Sequence, residues 1–398
     1  MRVASIVREV CASCRSKIHA VRFSALVAVV EAVVQVGRLS LSALGRGIAG
    51  PVAPKHGIKR VDRLLGNRHL WAERWLIFDS MIWCVLRGGA WRRHRAIRSR
   101  PIILVDWTQA VGDQRVLVAA VPIGGRALTL YFEVHPERRL GNTRVQTRFL
   151  RALRDLLPLG CRPVIVTDAG FHGPFFRDVR RLGWDFVGRL RGTAKARPVE
   201  GGPAISKDEF YTRASLVPRA LGSFDLYTSS QSIRANLVLV RSRRKPGRKL
   251  PSPTSKEEKE FRKTARDPWL LATSLERHDA DRVVALYALR MQIEETFRDA
   301  KNHRFGWALR HVKTTSIERM TILLLITSLA TIAVTLVGHA AERGGYHRGY
   351  QDNTLTRRVL SFFVLGCAIF QRGDRRILAA ITLRPALRHL RDAVRVTA

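Results

Sequence analysis

The sequence predicts a mixed α/β core flanked by helical segments. Apolar residues at helical spacing fill most of the first hundred positions. Short apolar runs rich in Val and Ile follow between about 101 and 190, and helical spacing returns from 279 onward. At 398 residues the chain can hold two or three domains and bury a substantial core.

The elements follow in order. Residues 23–36 carry apolar positions at helical spacing, 40–48 continue them, and 56–65 form an amphipathic basic segment, with Pro51 and Pro54 interrupting the pattern. Short helices joined by tight turns, one bearing Lys59, Arg60 and Arg63, suit a helix-turn-helix-like DNA-binding element; an ordinary helical bundle gives the same pattern. Residues 91–100 (WRRHRAIRSR) read as a basic connector. The period then changes. Residues 101–107 (PIILVDW) form a buried strand with Asp106 near its end. Residues 115–121 and 127–134, parted by Gly124 and Gly125, form a hairpin. Asn142 caps a helix running to 157, with Val145, Phe149, Leu153 and Leu156 on one side. Residues 163–168 (PVIVTD) make another buried strand ending in Asp168, 173–182 a short helix and 184–190 a strand.

The order β-β-β-α-β-α-β is that of a ribonuclease-H-like mixed sheet. In that fold the first strand lies beside the fourth, so Asp106 and Asp168 are expected close together at neighbouring strand ends, where open sheets place ligands. Residues 201–276 interrupt this core. Strand-like pieces at 223–228, 235–240 and 269–273 surround a cation-dense stretch, 241–263, which Pro246, Pro251 and Pro253 mark as irregular. The expected organisation is a helical DNA-binding region (1–95), the first part of the core (96–200), a β-rich insertion (201–276), the rest of the core (277–340) and a helical C-terminal region (341–398).

A helix over 279–301 places Tyr287, Arg290, Glu294, Arg298 and Lys301 within an arc of roughly 80°. Arg290 with Glu294 and Glu294 with Arg298 are i,i+4 pairs, which on most helices only support a solvated face. The strand-end aspartates change that reading. Three carboxylates on such a frame are hard oxygen ligands for Mg²⁺ or Mn²⁺, and two ions about 4 Å apart serve phosphodiester cleavage.

Composition agrees. The net charge is +38, with 70 Lys+Arg against 32 Asp+Glu, and points to a polyanionic partner, most simply nucleic acid. Its sign is safer than its size, because only 12 of the 70 are Lys and arginine bias also follows genomic base composition. Five cysteines, at positions 11, 14, 84, 161 and 367, form no disulfide framework, and the lone C-x-x-C lacks partners for zinc; both suit a reducing, cytoplasmic setting. No secretory signal stands out. Residues 321–338 (TILLLITSLATIAVTLVG) are long and apolar enough for a bilayer, but they also read as a core helix, which is favoured here over contact with a membrane.

The spacing Y-x2-R-x3-E-x6-K, filled by Tyr287, Arg290, Glu294 and Lys301, resembles the signature of the IS-four family of DDE insertion-sequence transposases. Asp168-Ala169-Gly170-Phe171 and Val105-Asp106-Trp107-Thr108 resemble that family's other two motifs, and the resemblance runs from about 100 to 310. It implies cut-and-paste DNA transposition in a bacterial cytoplasm, at the nucleoid, by a homodimer bound to terminal inverted repeats and then to target DNA. It implies Asp106, Asp168 and Glu294 as the metal-binding triad for two Mg²⁺ ions, with Mn²⁺ able to substitute. Tyr287, Arg290 and Lys301 would grip phosphates of the element end, with Arg298 beside them. Trp269, in Trp269-Leu270-Leu271-Ala272-Thr273, matches the context of a tryptophan that stacks on a flipped base where a hairpin intermediate is used; a core tryptophan fits equally. The C-terminal region would supply dimer contacts. The rival expectations are a catalytically silent DNA-binding protein and a ribonuclease-H-like nuclease without strand transfer.

Overall fold

The computed structural model describes residues 1–51, 53–87, 100–192, 194–227, 232–241, 267–276, 279–352, 354–355 and 357–394. The basic connector expected at 91–100 and the basic loop at 241–263 lie almost wholly outside these residues. The chain divides into two compact units: Met1–Cys161 with Met291–Ala398, and Arg162–Arg290.

Five helices open the first unit: α1 (Val3–Val10), α2 (Ala20–Val36), α3 (Leu41–Gly47), α4 (Pro54–Leu65) and α5 (Arg68–Ile82). α2 buries Phe23, Leu26, Val30 and Val33 and so reads apolar nearly all round; it stops at Gly37, whose φ of 68° ends a helix without a side-chain clash. α3 and α4 touch backbone to backbone, since a Cβ on Gly45 would sit 2.4 Å from Ile58 Cα. α4 buries Val61, Leu64 and Leu65 and exposes Lys59, Arg60 and Arg63.

Then β1 (Ile102–Gln109), β2 (Gln114–Ile123) and β3 (Arg126–Pro136) run antiparallel, with Asp106 opposite Val118 and Val118 opposite Phe132. α6 (Thr143–Leu156) starts where Asn142 accepts the Val145 N–H at 3.1 Å. Its buried Phe149 stacks on Tyr131 of β3 at 4.9 Å between ring centroids.

In the second unit, β4 (Val164–Thr167) and β5 (Asp185–Arg189) are parallel and joined through α7 (Gly173–Arg181). β6 (Lys195–Pro198), β7 (Ile205–Ser206), α8 (Lys207–Thr212), β8 (Arg219–Leu226), β9 (Ile233–Val240), β10 (Trp269–Thr273) and α9 (Ala280–Ala288) follow. The strands lie in the order β4-β5-β10-β9-β8-β6-β7, all antiparallel after the first pair.

The chain returns to the first unit with α10 (Met291–Lys301), α11 (Ile317–Arg343), α12 (Phe362–Arg372), α13 (Arg375–Ala380) and α14 (Leu383–Val394). α11 contains the bilayer-length apolar segment. It is long and apolar enough to cross a membrane, yet 89% of its apolar window is buried inside the protein. It packs on α2, α5, α12, α14 and β3. Two glycines make this contact intimate: a Cβ at Gly366 would lie 1.8 Å from Val334 O, and one at Gly338 would lie 1.9 Å from Phe362 O.

The mixed α/β class, the order β-β-β-α-β-α-β and the helical flanks are those the sequence predicts, and they are consistent with a ribonuclease-H-like fold. Two expected elements differ: β1 continues for three residues past Asp106, which therefore lies within the strand rather than at its end, and the helix before Lys301 is divided. The single helix expected over 279–301 is two, α9 and α10. At the join the Leu289 N–H bonds Leu286 O at 3.2 Å and the Arg290 N–H bonds Tyr287 O at 3.0 Å. These i→i−3 bonds tighten the end of α9 and close it.

Candidate active site

In the first unit, Asp106 sits on β1 with 7% of its surface exposed, and its Oδ1 accepts the Trp107 N–H at 2.8 Å. Thr108 is two residues on, hence on the same face of the strand. Its Oγ1 accepts a hydrogen bond from Lys301 Nζ at 2.8 Å, which brings the last residue of α10 across to β1. Burial pulls the Lys301 pKa down, and the Arg310 and Arg115 charges lower it further; Asp106 acts in the opposite direction.

α10 is held to the edge of β3. The Ala127 N–H donates to Thr296 Oγ1 at 2.7 Å, and Arg126 Nε donates to Asp299 Oδ2 at 2.5 Å. The helix break puts Glu294 in the first turn of α10, at the end of a helix that favours negative charge. Arg298 bonds Glu295 Oε2 at 2.7 Å, an i,i+3 pair in place of the expected pairing with Glu294. The Arg298 side chain remains 66% exposed.

The second unit carries Asp168, Trp269, Tyr287 and Arg290. Asp168 directly follows β4, and its Oδ1 accepts the Gly170 N–H at 2.9 Å. A Cβ at position 170 would come within 3.1 Å of that oxygen, so the glycine leaves the carboxylate its room. Tyr287 is 3% exposed, and burial raises its pKa against the pull of Arg290 and Arg189. The Arg290 guanidinium lies 5.8 Å from the Tyr287 ring, and Trp269 meets the same ring edge-on at 4.9 Å. Trp269 is therefore packed against a signature tyrosine rather than lost in the general core.

Sequence reasoning missed several neighbours. Arg189, at the end of β5, is 7% exposed; its Nη2 donates to Asp267 O and Pro268 O at 3.0 and 3.2 Å, while its buried Nε has no partner. Thr108, Arg115 and Arg310 surround Lys301. The one signal for Arg189 was a cation closing an apolar run, F-V-G-R. Lys59, Arg60 and Arg63 are exposed on α4, on elements apart from these clusters.

Asp106, Glu294 and Asp168, two from one unit and one from the other, offer carboxylate oxygens only, the donor type that Mg²⁺ and Mn²⁺ take. Among the described residues, no group of three or more His, Cys, Asp and Glu side chains forms a site for a metal ion. No curated protein matches the chain. A family model described as the transposase DDE domain matches residues 98–330. That stretch takes in Asp106, Asp168 and Glu294 and more than half of the 398 residues, and the chain belongs to the transposase DDE domain family, enzymes that act on DNA.

Proposed function

We propose that this transposase is a cut-and-paste enzyme of the IS-four group, acting as a dimer on terminal inverted repeats. The observation that carries the reading is the Lys301–Thr108 bond, which joins the last residue of the Y-x2-R-x3-E-x6-K pattern to the strand of the first aspartate. Asp106, Asp168 and Glu294 would hold two divalent cations, Mg²⁺ or Mn²⁺, which supply neutralisation at the attacking and leaving oxygens.

The chain's own residues do the rest. Lys301, with its lowered pKa, gives up little hydration when it meets a phosphate oxygen beside Asp106. Tyr287 and Arg290 grip the phosphates of the element end near Asp168, and exposed Arg298 adds a cation along α10. Water displaces the 3′ oxygen at the element end. The freed 3′-OH then attacks either the opposite strand, closing a hairpin, or target DNA. In the hairpin route Trp269 stacks on a flipped base. Lys59, Arg60 and Arg63 bind the duplex away from the cut, and the C-terminal helices bring two copies together.

The test is purified protein with Mg²⁺, a labelled duplex carrying the terminal repeat, and a plasmid target. Cleavage followed by joining is expected. Glu294→Ala should abolish cleavage by at least ~10³-fold while binding persists. Cleavage without joining would leave a nuclease, and unchanged cleavage in the alanine variant would remove Glu294 from the site.

A further inference from the structure

The first unit also carries a groove lined by none of the residues matched to the three motifs. Two clefts of about 480 and 380 Å³ share His135, Arg148 and Ile317 and so form one groove. It runs from α5, past the end of β3, to the 3₁₀ turn Glu137–Arg139 and the start of α6. Its α5 end is aromatic. Arg74 Cζ lies 3.9 Å from the Trp71 ring centroid and 4.8 Å from that of Trp75, and Arg74 Nη1 donates to Trp71 O at 2.6 Å. The guanidinium is thus fixed between two indoles. Trp75 is 37% exposed although its ring also rests on Tyr131 at 5.4 Å.

The other end is cationic, with Arg138, Arg139 and Arg144 exposed along it and the Arg148 side chain 67% exposed. Glu133 is the one carboxylate among the lining residues. It is already answered: Tyr131 Oη donates to it at 2.7 Å, Arg148 Nη2 at 3.0 Å, and His135 Nε2 lies 2.9 Å away. Burial alone would raise the Glu133 pKa, but these bonds bring it below the ordinary value, so it stays an ionised and neutralised carboxylate. The groove therefore presents net positive charge at one end and, at the other, two indoles in contact with a guanidinium, Trp75 being the exposed one.

We propose that this groove binds a single DNA strand, its phosphates on Arg138, Arg139 and Arg144 and an unstacked base on the Trp71–Arg74–Trp75 platform. Cations tracking a backbone next to aromatic faces are what sequence-tolerant strand binding requires. A duplex buries its base faces and has no use for the indoles. The site goes beyond the cutting reaction, and its test needs no terminal repeat, so either reading can fail alone.

The probe is a fluorescent oligo-dT strand about 15 nucleotides long, titrated at several salt concentrations. Trp75→Leu keeps an apolar contact with Tyr131 but removes the indole plane; it should weaken binding about fivefold or more, with melting temperature checking the fold. Arg139→Gln with Arg144→Gln should lower the slope of log K against log salt by about 1.4. Arg197→Gln with Arg219→Gln, exposed positions on β6 and β8, should change neither. Equal losses in the control pair would mean diffuse charge only, and an unaltered Kd in Trp75→Leu would overturn the stacking platform. A matched duplex that loses as much as the strand in the tryptophan variant would overturn the single-strand assignment.

Discussion

Lys301 is the residue in which stability and function pull apart. Its ammonium is partly buried, with Arg310 and Arg115 near it, and its pKa lies below the ordinary lysine value. In the unfolded chain the group titrates near 10.4, roughly the model-peptide value. A lysine whose folded pKa is lowered opposes folding while it is charged. That cost is fully present below the folded pKa and disappears as pH rises to the unfolded value, because over that window the unfolded chain binds more protons. Lys301→Met should therefore melt higher than the parent at pH 7, with the gap narrowing by pH 10. The same change removes a cation from the side of Asp106, so cleavage should fall by about 10². Scanning calorimetry at the two pH values and a cleavage assay on the same samples check both halves. A variant that melts lower at pH 7 would mean that Thr108 and Asp106 more than offset the burial.

α4 tests how far a helix face can be assigned from its charges. Its apolar side is spent on Val61, Leu64 and Leu65, and Arg319 anchors it through Asp62 Oδ1 at 2.5 Å, which leaves Lys59, Arg60 and Arg63 outward. If the three meet phosphates, replacing all of them by Gln should lower the salt slope of duplex binding by about 2.7. A parallel shift of the binding curves with no change of slope would remove α4 from the interface. This helix was legible from residue 56 because its period and its apolar stripe agree, although Pro54, read as an interruption, opens it; Asn142 marked the start of α6. β6, β7 and α8 were not legible, since elements of 4, 2 and 6 residues are too short to show a period. The break between α9 and α10 was hidden for a different reason. No Gly or Pro stands anywhere in 280–301, so nothing local announces it. At the site, Asp168 at the end of β4 could be read from pattern, whereas Asp106 lies three residues inside the end of β1, and Lys301 and Thr108 stand 193 positions apart and only the fold joins them.

Across the whole molecule the charge is unusual in being hard to titrate away. Of the 70 Lys+Arg only 12 are Lys, and guanidinium stays protonated well above pH 11. Five of the six tyrosines and three of the five thiols, which could add negative charge at alkaline pH, are held back. Burial raises the pKa of Tyr131, Tyr211, Tyr287 and Tyr350, and pushes Tyr227 up to about 12. Among the thiols, a hydrogen bond with Cys14 and burial raise Cys11, and burial raises Cys84 to about 11 and Cys367 further, while Cys14 is lowered, chiefly by its bond with Cys11. Between pH 7.5 and 10 the lysines lose about three to four charges in total, a small part of the +38. Electrostatic binding to a duplex follows the number of phosphates neutralised. At fixed salt, Kd for a duplex without the terminal repeat should therefore change by less than about threefold over this range, while added salt should weaken it steeply. Fluorescence anisotropy at the two pH values, each over a salt series, measures both effects. A tenfold loss by pH 10 with the salt slope intact would mean that a few titrating residues, rather than the arginine field, hold the DNA.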